Sequence, residues 1–215
     1  MSTSTTAMTS STNVFATRGF WERFWRTSGI QSIGLFIIAY IIYGHQPHVA
    51  AVFSGLAVLN LIWFSAALKT TLADAGQDGW GAAATASSAV AGGLFLLLIM
   101  LGAALAYPTA NHTLASELNE FTWSGVVLSS FPRAMLIMAG TFGLWRAGLI
   151  SNALFITGVG AVVLVLLGGT TWWSDGFWAP DGAYSLLVSP IISLVWIAVV
   201  SRILLTRSPA TRAGW

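Results

Sequence analysis

Residues Phe121 to Arg146 read FTWSGVVLSSFPRAMLIMAGTFGLWR, and this stretch decides the fold. It is apolar over the roughly 20 residues that a helix needs to cross a hydrocarbon core. Near its middle stands Pro132-Arg133. A charge at that depth is costly and faces protein or water rather than lipid. The other apolar segments carry no charge until their ends. Arg133 is therefore the one buried cation expected in a polytopic membrane protein.

Composition agrees. The chain is 56% hydrophobic and 7% charged, where soluble domains are about a quarter charged. No hydrophilic stretch exceeds the N-terminal tail, which excludes a separate soluble domain and gives nucleic acid nothing to bind. There is no cysteine, so disulfides, thiolate nucleophiles and zinc–thiolate sites are excluded.

Outward from Arg133, the pattern predicts six spans near Gly29–Gly44, Val49–Leu68, Ala83–Tyr107, Thr122–Trp145, Ala153–Trp172 and Ala183–Leu204. The fold class is all-α, a six-helix membrane bundle. Residues 1–17 are Ser/Thr-rich without a basic region or apolar run, and read as a disordered tail rather than a cleavable signal. Residues 18–28 put Phe20, Trp21, Phe24 and Trp25 on one helical face and Arg18, Glu22, Arg23 and Arg26 on the other. That is an amphipathic helix suited to the headgroup plane, with Trp21, Trp25, Arg18, Arg23 and Arg26 as its interfacial anchor. The six-span domain occupies 29–205, and 206–215 form a basic tail.

The connections alternate in character. His45–His48 is a tight turn, Lys69–Ala82 an acidic glycine-containing loop, and Pro108–Phe121 a loop carrying His112, Glu117 and Glu120. Arg146–Asn152 is a short link with Ser151 or Asn152 as a helix N-cap, and Trp173–Gly182 an aromatic loop that lies against the membrane. With the N-terminus inside, Arg18, Arg23, Arg26, Lys69, Arg146, Arg202, Arg207 and Arg212 all fall on the cytoplasmic side. The positive-inside rule then places both termini in the cytoplasm. Tyr40, Tyr43, Tyr107, Trp123, Trp172 and Tyr184 cluster at the outer interface, and Trp21, Trp25, Trp80 and Trp145 at the inner one. Inside the spans, Ser88 with Gly92, Ala89 with Gly93 and Ala139 with Gly143 have the small-xxx-small spacing that lets helices approach closely.

Several quoted runs carry a resemblance. They are Trp63-Phe64-Ser65-Ala66-Ala67-Leu68-Lys69-Thr70-Thr71-Leu72 with the small-residue span Ala82–Gly93, then Leu144-Trp145-Arg146-Ala147-Gly148-Leu149, then Leu194-Val195-Trp196 before the basic tail. Together they resemble a set of uncharacterised bacterial six-span membrane proteins of the domain-of-unknown-function kind. Where many of those place Pro-Arg-Trp after the Gly-Leu turn, this chain has Ile150-Ser151-Asn152. The resemblance implies six spans and a bacterial cell membrane, and it implies no activity.

Catalytic patterns are missing. There is no His-Glu-x-x-His helix, Gly-x-Ser-x-Gly elbow or P-loop, and no acidic residue stands within a predicted span. His45 and His48 sit in a turn beyond the spans, where a pair with His112 or Glu117 is a poor start for a metal site. No enzyme, cofactor or metal is expected. The candidate intramembrane polar site is Arg133, Pro132 and Asn60. A kink at Pro132 frees carbonyls that a guanidinium can bond. Arg133 has two readings: a structural one, snorkelling or pairing with Glu117 or Glu120, and a functional one, binding an anion. Gln31 and Asn60 suit interhelical hydrogen bonds. Two functions follow. The first is a non-enzymatic accessory or interaction subunit whose partners are the bilayer, other membrane proteins or its own copies. The second is a small permease with Arg133 coordinating an anionic solute.

Overall fold

The structure is a computed structural model that describes residues 8–106 and 112–206, with side chains from residue 24 in the first segment and from residue 116 in the second. Among these residues seven α-helices form: α1 (Met8–Ile42), α2 (Pro47–Asp74), α3 (Asp78–Leu105), α4 (His112–Leu128), α5 (Ser130–Arg146), α6 (Asn152–Leu167) and α7 (Ser189–Thr206). A 3-10 turn, Gly168–Thr170, extends α6, and a π-helical turn, Tyr184–Val188, leads into α7. Six stretches are long and apolar enough to cross a membrane: Phe24–Ile42, Pro47–Asp74, Asp78–Leu105, Ser116–Arg146, Asn152–Thr170 and Tyr184–Thr206. The all-α six-span bundle expected from hydropathy is the architecture found.

The helices pack as a ring in the order α1, α2, α3, α5, α6, α7, closing where α7 meets α1. We term the end where Arg26 of α1 meets Leu204 of α7 the terminal end, and the other the far end. The core fills the terminal half. Phe64, Leu68 and Leu72 of α2 pack there with Ile137 and Leu144 of α5 and with Trp196, Val200 and Leu204 of α7. The α5–α7 contact is close enough that glycine is required. A Cβ on Gly140 would lie 2.6 Å from the Trp196 ring.

Three boundaries differ from expectation. Residues 8–17 and the expected interfacial helix join the first span in one unbroken α1. Nucleation is the costly step of helix formation, and no proline lies between Met8 and Ile42 to stop propagation from the span. Residues 1–7, the side chains of Arg18, Trp21 and Arg23, and the basic tail from 207 lie outside the described residues. The expected loop at 69–82 shrinks to three residues, because α2 runs on to Asp74 and buries Leu72 completely. A Schellman motif ends it: Gln77 N–H donates to the Leu72 carbonyl at 2.8 Å and Gly76 N–H to that of Ala73 at 2.9 Å, with Gly76 at φ 72°. Only glycine adopts that left-handed cap without penalty. The same device ends α5, where Leu149 N–H reaches the Leu144 carbonyl at 2.8 Å and Gly148 has φ 66°.

The third difference matters most for function. The residues expected as an outer loop from Pro108 to Phe121 are helical from His112 onward. Between α4 and α5 the chain breaks only at Ser129. Pro132 explains the position of the break. It has no N–H to offer the Leu128 carbonyl, and its ring crowds that same carbonyl four residues back. One long interrupted span, Ser116–Arg146, results.

Two of the three small-residue pairs mediate packing. Ser88 and Gly92 are buried, a Cβ on Gly92 meeting Val58 of α2 at 3.1 Å, and Ala139 and Gly143 are buried, a Cβ on Gly143 meeting Leu72 at 2.8 Å and Trp80 at 2.9 Å. Ala89 and Gly93 face outward. Ser151 proves to be the N-cap of α6, its Oγ accepting from Leu154 N–H at 3.4 Å, while Asn152 instead accepts from Trp145 Nε1 at 2.9 Å.

Candidate functional site

Arg133 stands one turn beyond the α4–α5 break, with 6% of its surface exposed. The break supplies its partners. Nε donates to the Ser129 carbonyl at 3.2 Å, and Nη2 donates to Ser130 Oγ at 3.0 Å. Pro132 withholds its N–H from the Leu128 carbonyl, but the carbonyl that the guanidinium bonds is that of Ser129, which also receives Arg133 N–H at 3.3 Å. Nη1, equally buried, has no acceptor. Among the described residues no carboxylate lies within ion-pair distance, so a full charge sits inside the bundle held by two neutral oxygens.

Pairing with Glu117 or Glu120 is corrected by this geometry. Both acids are exposed on α4, and α4 continues into α5 along one span. Glu120 lies 13 residues before Arg133 and Glu117 lies 16, about 20 and 24 Å of helical rise. A loop folded back from the membrane surface would have brought the carboxylates down, but the rigid helix holds them away. Asn60 also leaves the candidate site. Its Nδ2 donates to the Leu56 carbonyl of its own helix at 2.9 Å. Gln31 likewise stays local, reaching Thr27 Oγ1 at 2.9 Å. Interhelical hydrogen bonds come from other residues: Ser32 Oγ to the Ala57 carbonyl at 2.8 Å, Trp196 Nε1 to Thr141 Oγ1 at 3.0 Å, and Tyr184 Oη to the Leu164 carbonyl at 2.7 Å. Small hydroxyls and aromatic N–H or O–H groups are frequent in any span, so their sequence signal is weak.

Arg133 lines a cavity of about 430 Å³ in the far half of the bundle, within the size range of small-molecule sites. Its floor is Leu61, Ile137 and Trp196, the top of the packed core. Phe36 of α1 and Phe95 of α3 close one side, their ring centroids 5.9 Å apart. Ser129, Ser185 and Ser193 supply the buried hydroxyls of the lining. Their hydroxyls already donate elsewhere, Ser129 to the Val126 carbonyl, Ser193 to that of Ser189, and Ser185 to Thr171 Oγ1. Each keeps oxygen lone pairs but no spare hydrogen. Arg133 Nη1 is therefore the buried side-chain nitrogen of the lining without an acceptor.

A second interrupted helix forms the wall beside α5. Pro190 removes a backbone donor at the start of α7, and the chain before it winds as a π turn in which Ser189 N–H bonds the Tyr184 carbonyl. Prolines and π turns are recognised causes of helix irregularity. Arg133 is 13 residues before Arg146, and Ser193 is 13 residues before Thr206. The two helices thus reach the cavity at similar depth, α5 after a break and α7 after a π turn. A discontinuous helix beside a polar group near mid-span is a recurrent feature of solute sites in membranes.

The cavity opens sideways. Lining residues that are also exposed, Ile37 and Tyr40 on α1, Leu186 and Leu187 in the π turn and Ile191 on α7, mark its mouth. At the terminal end α1 and α7 are closed against each other by the Arg26–Leu204 bond and by Gly29 packed on Ser201 and Ile197. Toward the far end they diverge. His45 and His48 are exposed in the turn after α1, the side chain of His112 lies outside the described residues, and no group of three metal-ligating side chains forms among the residues described.

Compared with family models, curated proteins and solved structures, the chain matches none.

Proposed function

We propose that this chain is a small permease of a bacterial cell membrane, with both termini cytoplasmic, in which Arg133 coordinates an anionic solute. The observation that carries the reading is the cavity wall itself: a buried guanidinium with no carboxylate partner among the described residues, one nitrogen uncommitted, beside a space large enough for a small molecule. An isolated buried cation is strongly unfavourable, and a bound anion removes the deficit. The accessory-subunit reading has no comparable observation behind it.

The orientation rests on charge. Arg26, Lys69, Arg146 and Arg202 all lie toward the terminal end of their helices, and Arg133 is the exception among described basic side chains. The bacterial membrane rests on the sequence motifs alone.

The test is uptake of phosphate and of benzoate into proteoliposomes by the wild type, Arg133→Lys and Arg133→Leu. At least one anion is expected to enter with the wild type, more slowly with Lys, and at the empty-liposome rate with Leu. Arg133→Leu should unfold at or above the wild-type temperature, since an apolar side chain replaces an uncompensated charge. Uptake unchanged in Arg133→Leu, or no uptake of either anion by a folded wild type, overturns the proposal.

A further inference from the structure

Resting on that anion-binding reading, we infer that the ligand is amphipathic: one anionic head on an apolar body, taken up through the side of the bundle. Three observations point there. The wall of the cavity is almost wholly hydrocarbon, with Phe36, Phe95, Leu61, Ile137 and Trp196 facing the space. A phosphate or other fully hydrated inorganic ion entering it would lose its water over most of its surface and regain one charged contact, a poor exchange. An anion with an apolar tail instead places its head at the guanidinium and buries the tail where burial is favourable.

The free hydrogens of the guanidinium set the head group. Nε and Nη2 are already used on Ser129 and Ser130. Nη1 keeps both of its hydrogens and Nη2 keeps one, a single guanidinium fork that suits a monoanionic carboxylate or phosphodiester better than a multiply charged ion needing a clamp of cations. The three serine oxygens on the wall can only accept, so they add nothing for an anion and help exclude a second charge.

The position of the mouth sets the route. It lies between α1 and the π turn before α7, rimmed by Ile37, Tyr40, Leu186 and Leu187, with Tyr40 69% exposed. These are lipid-facing positions on two spans, so the opening faces the acyl-chain region beside the bundle. An amphipathic anion already partitioned into the bilayer reaches Arg133 without passing through the aqueous ends. Aliphatic carboxylates from solution and anionic lipids of the membrane share this chemistry.

Purified wild-type protein in neutral lipid nanodiscs decides the class by isothermal titration with decanoate, decanol and phosphate. Decanoate is expected to bind at least tenfold more tightly than either of the others, and Arg133→Leu to lose that preference over decanol. If phosphate binds in an Arg133-dependent way and decanoate does not compete, the amphipathic inference is overturned while the anion site stands. If decanol matches decanoate in wild type and in Arg133→Leu, and phosphate fails to bind, both are overturned. Ala91→Leu, which fills the cavity from α3, should weaken decanoate at least tenfold in protein that elutes as the wild type does. Should that variant not fold, the three-probe comparison on wild type still decides. Repeating the titration in discs containing phosphatidylglycerol separates the sources. Competition with decanoate supports a membrane lipid as occupant, and unaltered decanoate binding supports a carboxylate drawn from solution.

Discussion

Arg26 Nη1 on the first span donates to the Leu204 carbonyl at 3.0 Å, joining α1 to the last turn of α7. Carbonyls in the last turn of a helix have no intrahelical N–H to accept, and the dipole there favours a cation. A residue expected to reach outward to headgroups instead caps a partner helix, while Trp25 beside it packs edge-on against Trp63 of α2 at 5.8 Å. The bond closes the ring of helices at the end opposite the cavity.

Replacing Arg26 by Leu should therefore lower stability by about 1.5–3 kcal/mol, the usual range for a hydrogen bond to a charged group. Arg26→Lys should recover part of the loss. Thermal unfolding in detergent, followed by circular dichroism, checks the order wild type, Lys, Leu. Equal midpoints for all three would show that the ring closes by apolar packing alone.

The contact between Gly140 and Trp196 sets the second prediction. Gly140→Ala places a methyl 2.6 Å from the indole, an overlap that costs about 1–3 kcal/mol when neighbours must shift. Phenylalanine at 196 lacks the ring atoms that collide. In a Trp196→Phe background the same Gly140→Ala change should cost clearly less, although Trp196→Phe itself gives up the bond to Thr141. Additive losses in unfolding free energy would mean that the two residues are not in contact.

The spans were legible because two signals of different origin agree. Apolar runs such as Asn152–Leu167 have nothing to do in water, and the basic residues Arg26, Lys69, Arg146 and Arg202 bracket them at one end. The connections were misread where polarity and helicity part company. Lys69, Asp74, Glu117 and Glu120 signal solvent, and solvent is where they are, but each sits on a helix that outlasts its apolar stretch. That error alone produced the salt bridge expected at Arg133. Asn60 stands apart from the site because an amide can satisfy itself on its own helix. The Pro132–Arg133 pair was legible as a break that frees a carbonyl. The cavity was not, since it depends on α1 and α7 meeting at Gly29 and Ser201 and parting beyond, a tertiary fact with no local pattern.

Orientation is checked chemically in a chain without cysteine. Asp175 lies in the far-end loop and Asp78 at the terminal end, both exposed. Asp175→Cys should react with an impermeant thiol reagent added to intact cells, and Asp78→Cys only after the membrane is opened. Labelling of Asp78→Cys in intact cells would reverse or break the topology.

The last prediction concerns Arg133 and the two glutamates of α4. Had the outer residues formed a flexible loop, Arg133→Leu would cost less with Glu117 and Glu120 already neutralised, because the charges would share one interaction. The helix found there separates them by 13 and 16 residues, about 20 and 24 Å of rise, well past the distance at which neighbouring mutations couple. The double-mutant cycle joining Arg133→Leu with Glu117→Gln and Glu120→Gln should close to within about 0.5 kcal/mol. Unfolding of the four variants in the same detergent measures it. A coupling of several kcal/mol would return Arg133 to a buried pair, and with it the structural role that the uncommitted Nη1 argues against. Additivity removes both glutamates as its counter-charge and leaves the guanidinium open to a bound anion.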